Sequence, residues 1–198
     1  MGEKSAEFKP LHFYHVYNRA IGNERLFREQ KNYTFFLKKW NSYLNGYLDV
    51  WAYCLIPNHF HFLVRITGKK NIDLTGFQNL SGLITQKFSN FFNSYTKSYN
   101  KVYNRNGSLF QRPFKRVEVD SKRYLQHLIH YIHHNPIHHN FVGEYLEWEY
   151  SSYQSILSTS STKVYRKGVL NLFSNREKFR SYHDKMKNYD QISHLIPE

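Results

Sequence analysis

Residues 47–66 read YLDVWAYCLIPNHFHFLVRI. Two runs of β-branched and aromatic residues, YLDVWAYCLI and HFHFLVRI, stand on either side of Pro57 and Asn58, which is the pattern of a β-hairpin. Side chains alternate along a strand, so His59 and His61 leave one face of the second run while Phe60 leaves the other.

Upstream of the hairpin, LHFYHVYNRA from Leu11 reads as a first strand ending near Asn18 and Arg19. Between Gln30 and Leu44, the residues Tyr33, Phe36, Leu37 and Trp40 recur at spacings of three and four with Lys38 and Lys39 opposite, which predicts an amphipathic helix. Beyond the hairpin, Leu74, Phe77, Leu80, Ile84, Phe88, Phe91 and Tyr95 keep the same spacing and predict a second helix ending near Asn100. The stretch SLFQRPFKRVEV returns to a strand pattern, with Pro113 pointing to an edge position or a bulge. Ser121 is a candidate N-cap for a third helix, whose stripe of Leu125, Leu128, Ile129 and Ile132 leads to Asn135 and Pro136. Pro136 should end or kink that helix and bias Asn135 away from helical geometry.

The order strand, helix, strand, strand, helix, strand, helix predicts an α+β fold, ferredoxin-like or RRM-like: a four-stranded, mainly antiparallel sheet with helices packed on it. The expected organisation is a flexible tail over residues 1–10, the main domain over 11–154, a Ser/Thr-rich linker over 155–163 and a basic helical C-terminal appendage over 164–198.

The chain of 198 residues carries 28 Lys and Arg against 15 Asp and Glu, a formal charge of +13 that calls for an acidic partner. A membrane is not expected to be that partner, because the sequence has no apolar run of about 18 residues. Nor has MGEKSAEFKP a signal core, so a cytoplasmic location is expected. The single cysteine, Cys54, allows neither an intramolecular disulfide nor a multi-cysteine zinc site. Aromatics make up 18% of the chain, and rings mixed with positive charge suit unpaired nucleic acid whose bases can stack. An AT-rich coding sequence enriches the same residue types, so motifs must decide.

Two imidazoles on one rigid strand face suit a metal, although a His-x-His pair also serves as ordinary sheet filling. Tyr131 lies four residues from both His127 and Asn135, so the three share a line on the third helix. The histidines at 127, 130, 133, 134, 138 and 139 crowd the same region without an acidic companion. They fan around the helix, which predicts solvated or phosphate-facing side chains rather than a zinc site.

In this order and spacing, HFYHVYNRA, LIPNHFHFLV, GSLFQRPFKRVEV, YIHHNPIHHNFV and WEYSSYQS resemble the single-tyrosine HUH transposases, in particular the REP-associated tyrosine transposases. The resemblance spans roughly Leu11 to Tyr153 and implies cleavage and rejoining of single-stranded DNA. It makes His59 and His61 metal ligands with Phe60 between them, Asn135 a candidate third ligand, and Tyr131 the nucleophile that forms a 5′-phosphotyrosine. The implied cofactor is a divalent metal, Mg²⁺ or Mn²⁺. The implied partner is single-stranded DNA folded as a hairpin or palindromic repeat, taken by a monomer or homodimer. Arg105, Arg112, Lys115, Arg116, Lys122 and Arg123 are the expected DNA contacts, and His127 a candidate base or phosphate contact. A non-catalytic single-strand binder of the same fold, either a domesticated transposase or an RRM-like module, is the alternative. A histidine-rich hydrolase with no DNA role would explain neither the charge nor the aligned tyrosine.

Overall fold

The computed structural model describes residues 6–68, 74–75 and 79–186. In chain order the elements are β1 (Phe13–Arg19), α1 (Gln30–Leu44), β2 (Leu48–Ile56), β3 (His59–Ile66), α2 (Leu80–Val102), β4 (Lys115–Val119) and α3 (Lys122–His138), followed by the short helices α4 (Tyr153–Leu157), α5 (Arg166–Leu172) and α6 (Arg176–Lys185). The strands form one sheet in the order β2-β3-β1-β4, every pair antiparallel. That is the expected ferredoxin-like arrangement, with β4 on an edge where the preceding Pro113 costs no ladder hydrogen bond.

The hairpin turn is pinned from outside. Asn58 accepts the Ala20 N–H at 2.8 Å and Pro57 accepts the Phe27 N–H at 3.0 Å, which locks the turn against the end of β1. Period-two alternation then divides the sheet into two faces. Phe60, Phe62, Val64 and Ile66 of β3 join Tyr14 and Val16 of β1 in a core covered by α1 and α2. Most of the aromatic surplus is spent there: Trp40 stacks on Phe62 with ring centres 3.6 Å apart, and Phe36, Phe88 and Phe91 are fully buried. The opposite face carries Leu63 of β3 and Cys54 and Ile56 of β2, and it packs on Leu125, Leu128, Ile129 and Ile132 of α3.

Three expectations are corrected. The second helix begins at Leu80, where the Asn79 side chain caps it by accepting the Gly82 N–H at 2.8 Å; Leu74 lies before it and Phe77 outside the described residues. Pro136 does not end α3, which runs on to His138 with the His139 N–H bonded to the Asn135 carbonyl at 3.0 Å. The flanks are packed where they are described. Phe8 is buried, edge-on to Tyr14, so the tail of residues 1–10 is anchored from Ala6 onward. In the 155–163 linker Ile156 is fully buried, and Val164, Val169, Phe173 and Phe179 belong to the core around α3. Residues 164–186 therefore complete the domain instead of hanging from it. Among the described residues no helix is long and apolar enough to cross a membrane.

Candidate functional site

The register of the sheet builds the site. Tyr17 pairs with His61 and Arg19 with His59 across the β1–β3 ladder, so His15, Tyr17, Arg19, His59 and His61 share the face that α3 crosses. The rings of His59 and His61 stand 5.1 Å apart at right angles. His61 lies between His15, stacked at 5.1 Å, and Tyr131 of α3, which meets it edge-on at 5.3 Å. One turn further along α3, Asn135 Oδ1 faces His59 Nε2 at 3.1 Å. The structure thus brings His59, His61 and Tyr131 together in the lining of one cleft with Tyr17, Arg19, Gln111, Lys115 and His139, while Asn135 adjoins it through His59.

The hydrogen bonds are compatible with tautomers that leave both Nε2 lone pairs on the site. Burial holds both imidazoles neutral at pH 7: it lowers His59 to about 4, an effect that the hydrogen bond with Asn135 opposes, and it pushes His61 well below its usual value. A neutral His59 that donates Nδ1–H to Asn58 Oδ1, 2.8 Å away, carries its lone pair at Nε2. That lone pair meets the oxygen of Asn135, whose amide nitrogen turns toward the Tyr131 carbonyl at 3.5 Å. His15 Nε2 lies 2.9 Å from His61 Nδ1, so a His61 that donates there keeps its lone pair at Nε2. His61 Nε2 is fully buried without a hydrogen-bond partner. In these Nδ1–H tautomers the two imidazole lone pairs and the amide oxygen meet no donor, and they make a donor set that fits a divalent cation. Among the described residues no group of three or more His, Cys, Asp or Glu could hold a metal, so any such site here is two histidines plus an amide.

Of the expected DNA contacts, Lys115 lines the cleft and Arg112 lines a groove beside it. Arg105 is turned inward, bonded to Asn100, Ser108 and Glu24. Arg116 points to the opposite face of the sheet, where it donates to the Ala6 carbonyl at 2.5 Å and to Thr85 Oγ1 at 2.8 Å and covers the Phe8 ring. Lys122 and Arg123 are exposed on the first turn of α3, outside the cleft lining. His127 sits between Tyr182 and Arg123, with its nitrogens 3.0 and 3.3 Å from them, and also lies outside the cleft lining. His15, Tyr17 and Asn58 were not anticipated, and His139, expected only as one of a solvated or phosphate-facing group, lines the cleft. The only signal for His15 and Tyr17 is their alternation with Arg19, which acquires meaning once β1 is known to pair with β3.

The histidine-rich run is the plainest correction, since His130, His133 and His134 are buried behind the site instead of facing solvent. His183 of α6 donates Nδ1–H to the Phe179 carbonyl at 2.9 Å and so accepts from His133 Nδ1 at 2.9 Å; His133 Nε2 in turn accepts from Ser152 at 2.8 Å. Tyr145 donates to the His183 carbonyl and accepts from His130 and His134. This relay works only with neutral rings. Burial accordingly lowers His133 to about 3 and His183 far below its usual value. A histidine with a lowered folded pKa takes up its proton in the unfolded chain first. Its stabilisation is complete above about pH 6.5 and is lost as pH falls toward the folded value. Urea midpoints should therefore drop sharply between pH 7.5 and 5.0, by about 2 kcal/mol of stability for each buried histidine. Equal midpoints at the two pH values would contradict the relay.

No family model and no curated protein matches the sequence. The fold is similar to a solved structure described as a REP-associated tyrosine transposase bound to a REP hairpin, with a TM-score of 0.60 and 14% identity, covering 80% of this chain and 87% of that one. The likeness establishes a shared fold.

Proposed function

We propose that this chain cleaves and rejoins single-stranded, hairpin-bearing DNA as a single-tyrosine HUH transposase, with Tyr131 as nucleophile. The observation that carries the reading is the Tyr131 ring set edge-on against His61, 5.3 Å away, in the cleft that also holds His59. The motif resemblance and the fold shared with a hairpin-bound transposase support it, and the charge of +13 suits a polyanionic strand.

In the proposed reaction the Tyr131 oxygen attacks the scissile phosphorus, the bond from phosphorus to the 3′ oxygen breaks, and a 5′-phosphotyrosine remains. The phenol proton passes to solvent, and the leaving 3′ oxygen takes one up as a free hydroxyl. Because the new ester keeps the phosphoester bond energy, a later 3′-hydroxyl can reverse the step. A free phenol titrates near 10, so its ionisation needs positive surroundings, which Arg19 and Lys115 supply at the cleft. A divalent cation held by His59, His61 and Asn135 would stabilise charge building on a non-bridging phosphate oxygen, and the two imidazoles favour Mn²⁺ over Mg²⁺. His15 positions His61 from behind through the bond at 2.9 Å.

Incubation with Mn²⁺ and a pool of labelled hairpin-bearing single strands should give a covalent adduct that survives denaturant. Tight binding without any adduct would favour a non-catalytic binder of the same fold. His15→Phe keeps a ring in the stack but removes the acceptor for His61, and should weaken Mn²⁺ binding about 10- to 100-fold in calorimetry. Unchanged affinity would remove His15 from the site. Neighbouring Lys115 and Arg116 should behave oppositely. Lys115→Ala should weaken strand binding and lower the salt slope by about one. Arg116→Ala should leave the slope intact and cost about 2 kcal/mol of stability from its lost bonds to Ala6 and Thr85. Reversed outcomes, read from salt titrations and urea melts, would contradict the assigned faces.

A further inference from the structure

Both ring nitrogens of His59 face an amide oxygen: Nδ1 lies 2.8 Å from Asn58 Oδ1, and Nε2 lies 3.1 Å from Asn135 Oδ1. A neutral imidazole has one N–H, so it can donate to only one of the two, and its lone pair then meets the oxygen of the other. Burial works against an imidazolium that would donate to both. A cation beside Nε2 removes the conflict by taking that lone pair together with the Asn135 oxygen. Without a cation, one amide has to turn and offer its nitrogen. Asn135 is 2% exposed, and its amide nitrogen already points to the Tyr131 carbonyl at 3.5 Å. Asn58 stands half-buried in the hairpin turn, and among the described residues its amide nitrogen has no hydrogen bond. Turning Asn58 therefore breaks nothing that its nitrogen makes, and its main-chain carbonyl keeps the Ala20 N–H at 2.8 Å.

We propose that Asn58 is a positioning residue whose amide turns over with metal binding, so that His59 carries its proton on Nε2 in the metal-free protein and on Nδ1 when a cation is held; the inference rests on the cation site of the reading above. In the metal-free form Nε2–H donates to Asn135 Oδ1, and the turned Asn58 Nδ2 donates to the Nδ1 lone pair. In the loaded form Nδ1–H donates to Asn58 Oδ1, which frees the Nε2 lone pair and makes it more basic toward the cation. The proton moves between the two nitrogens of one ring by exchange with water, so the ring stays neutral and no hydrogen is gained or lost. Asn58 lies outside the cleft lining and acts through His59 alone.

The test uses the whole chain labelled with ¹⁵N-histidine at pH 8 and Zn²⁺ as a diamagnetic probe, the His59 ring signals being identified by their loss in His59→Ala. Long-range ¹H–¹⁵N spectra should show the proton on Nε2 without metal and on Nδ1 once Zn²⁺ is added. Asn58→Asp offers only acceptors, so it should hold the proton on Nδ1 in both states and bind Zn²⁺ at least as tightly as wild type in calorimetry. Asn58→Ala removes the acceptor and should weaken Zn²⁺ binding about 10-fold, with the proton on Nε2 in the metal-free spectrum. Both variants keep the main-chain bond to Ala20, so their thermal midpoints should stay within a few degrees of wild type. A proton already on Nδ1 in the metal-free wild type, or an unchanged Zn²⁺ affinity in Asn58→Ala, would overturn the role of Asn58 and leave the cation site standing. Wild-type protein whose His59 signals do not respond to Zn²⁺ would overturn the cation site and the role of Asn58 with it.

Discussion

Tyr131→Phe is expected to abolish the covalent DNA adduct, lowering its formation by about 1,000-fold or more, while hairpin-strand affinity stays within about 3-fold of wild type. The substitution removes one oxygen and keeps the ring that packs edge-on against His61 and His15. A buried phenylalanine in place of a tyrosine that is 4% exposed preserves the packing, so the thermal midpoint should move little. An adduct surviving in the variant would reassign the nucleophile. Loss of strand binding together with the adduct would mean that Tyr131 holds DNA without attacking it.

The second large effect is expected at His61. His61→Ala removes the buried, unpartnered Nε2 and should lower cleavage by about 100- to 1,000-fold, with a steep rise in the metal concentration needed for the residual rate. Binding should suffer far less, because a ligated cation would act on charge that develops in the transition state, whereas cationic side chains hold the strand beforehand. Phe60→Leu is the control. Its side chain packs in the core under α1 and α2, so it should lower stability by about 1 kcal/mol and leave metal dependence unchanged. Cleavage by His61→Ala at the wild-type rate and metal requirement would remove the metal from this face. A folded Phe60→Leu as inactive as His61→Ala would do the same.

The element order was legible because each element is written in local periodicity: α1 matches its apolar spacing, and the hairpin turns where Pro57 and Asn58 interrupt two β-rich runs. Register is not local, and with it went His15, whose place behind His61 depends on which strand lies beside β3. Lys115 and Arg116 show a limit of reading charge as a list. Adjacent residues on a strand point to opposite faces, so both could not line one cleft. Asn135 kept its helical geometry despite Pro136, because the missing N–H affects the carbonyl of Ile132 near the helix end, where packing on both sides holds the backbone. The histidine-rich run was misjudged because its partners are not local: Tyr145 and Ser152 fold back from beyond α3, and His183 arrives from the segment expected to be peripheral. The aromatic surplus, read from composition as a base-stacking surface, is mostly the core between the sheet and α1 and α2.

The proposed strand-cleaving site, one tyrosine on α3 with two histidines on β3, is checked by digesting the denatured protein–DNA adduct formed with Mn²⁺ and identifying the residue that carries the 5′ phosphate by mass spectrometry. The phosphate should be found on Tyr131, in wild-type protein but not in His59→Ala or His61→Ala. A phosphate on another tyrosine, or an equal yield on Tyr131 in both histidine variants, would contradict it.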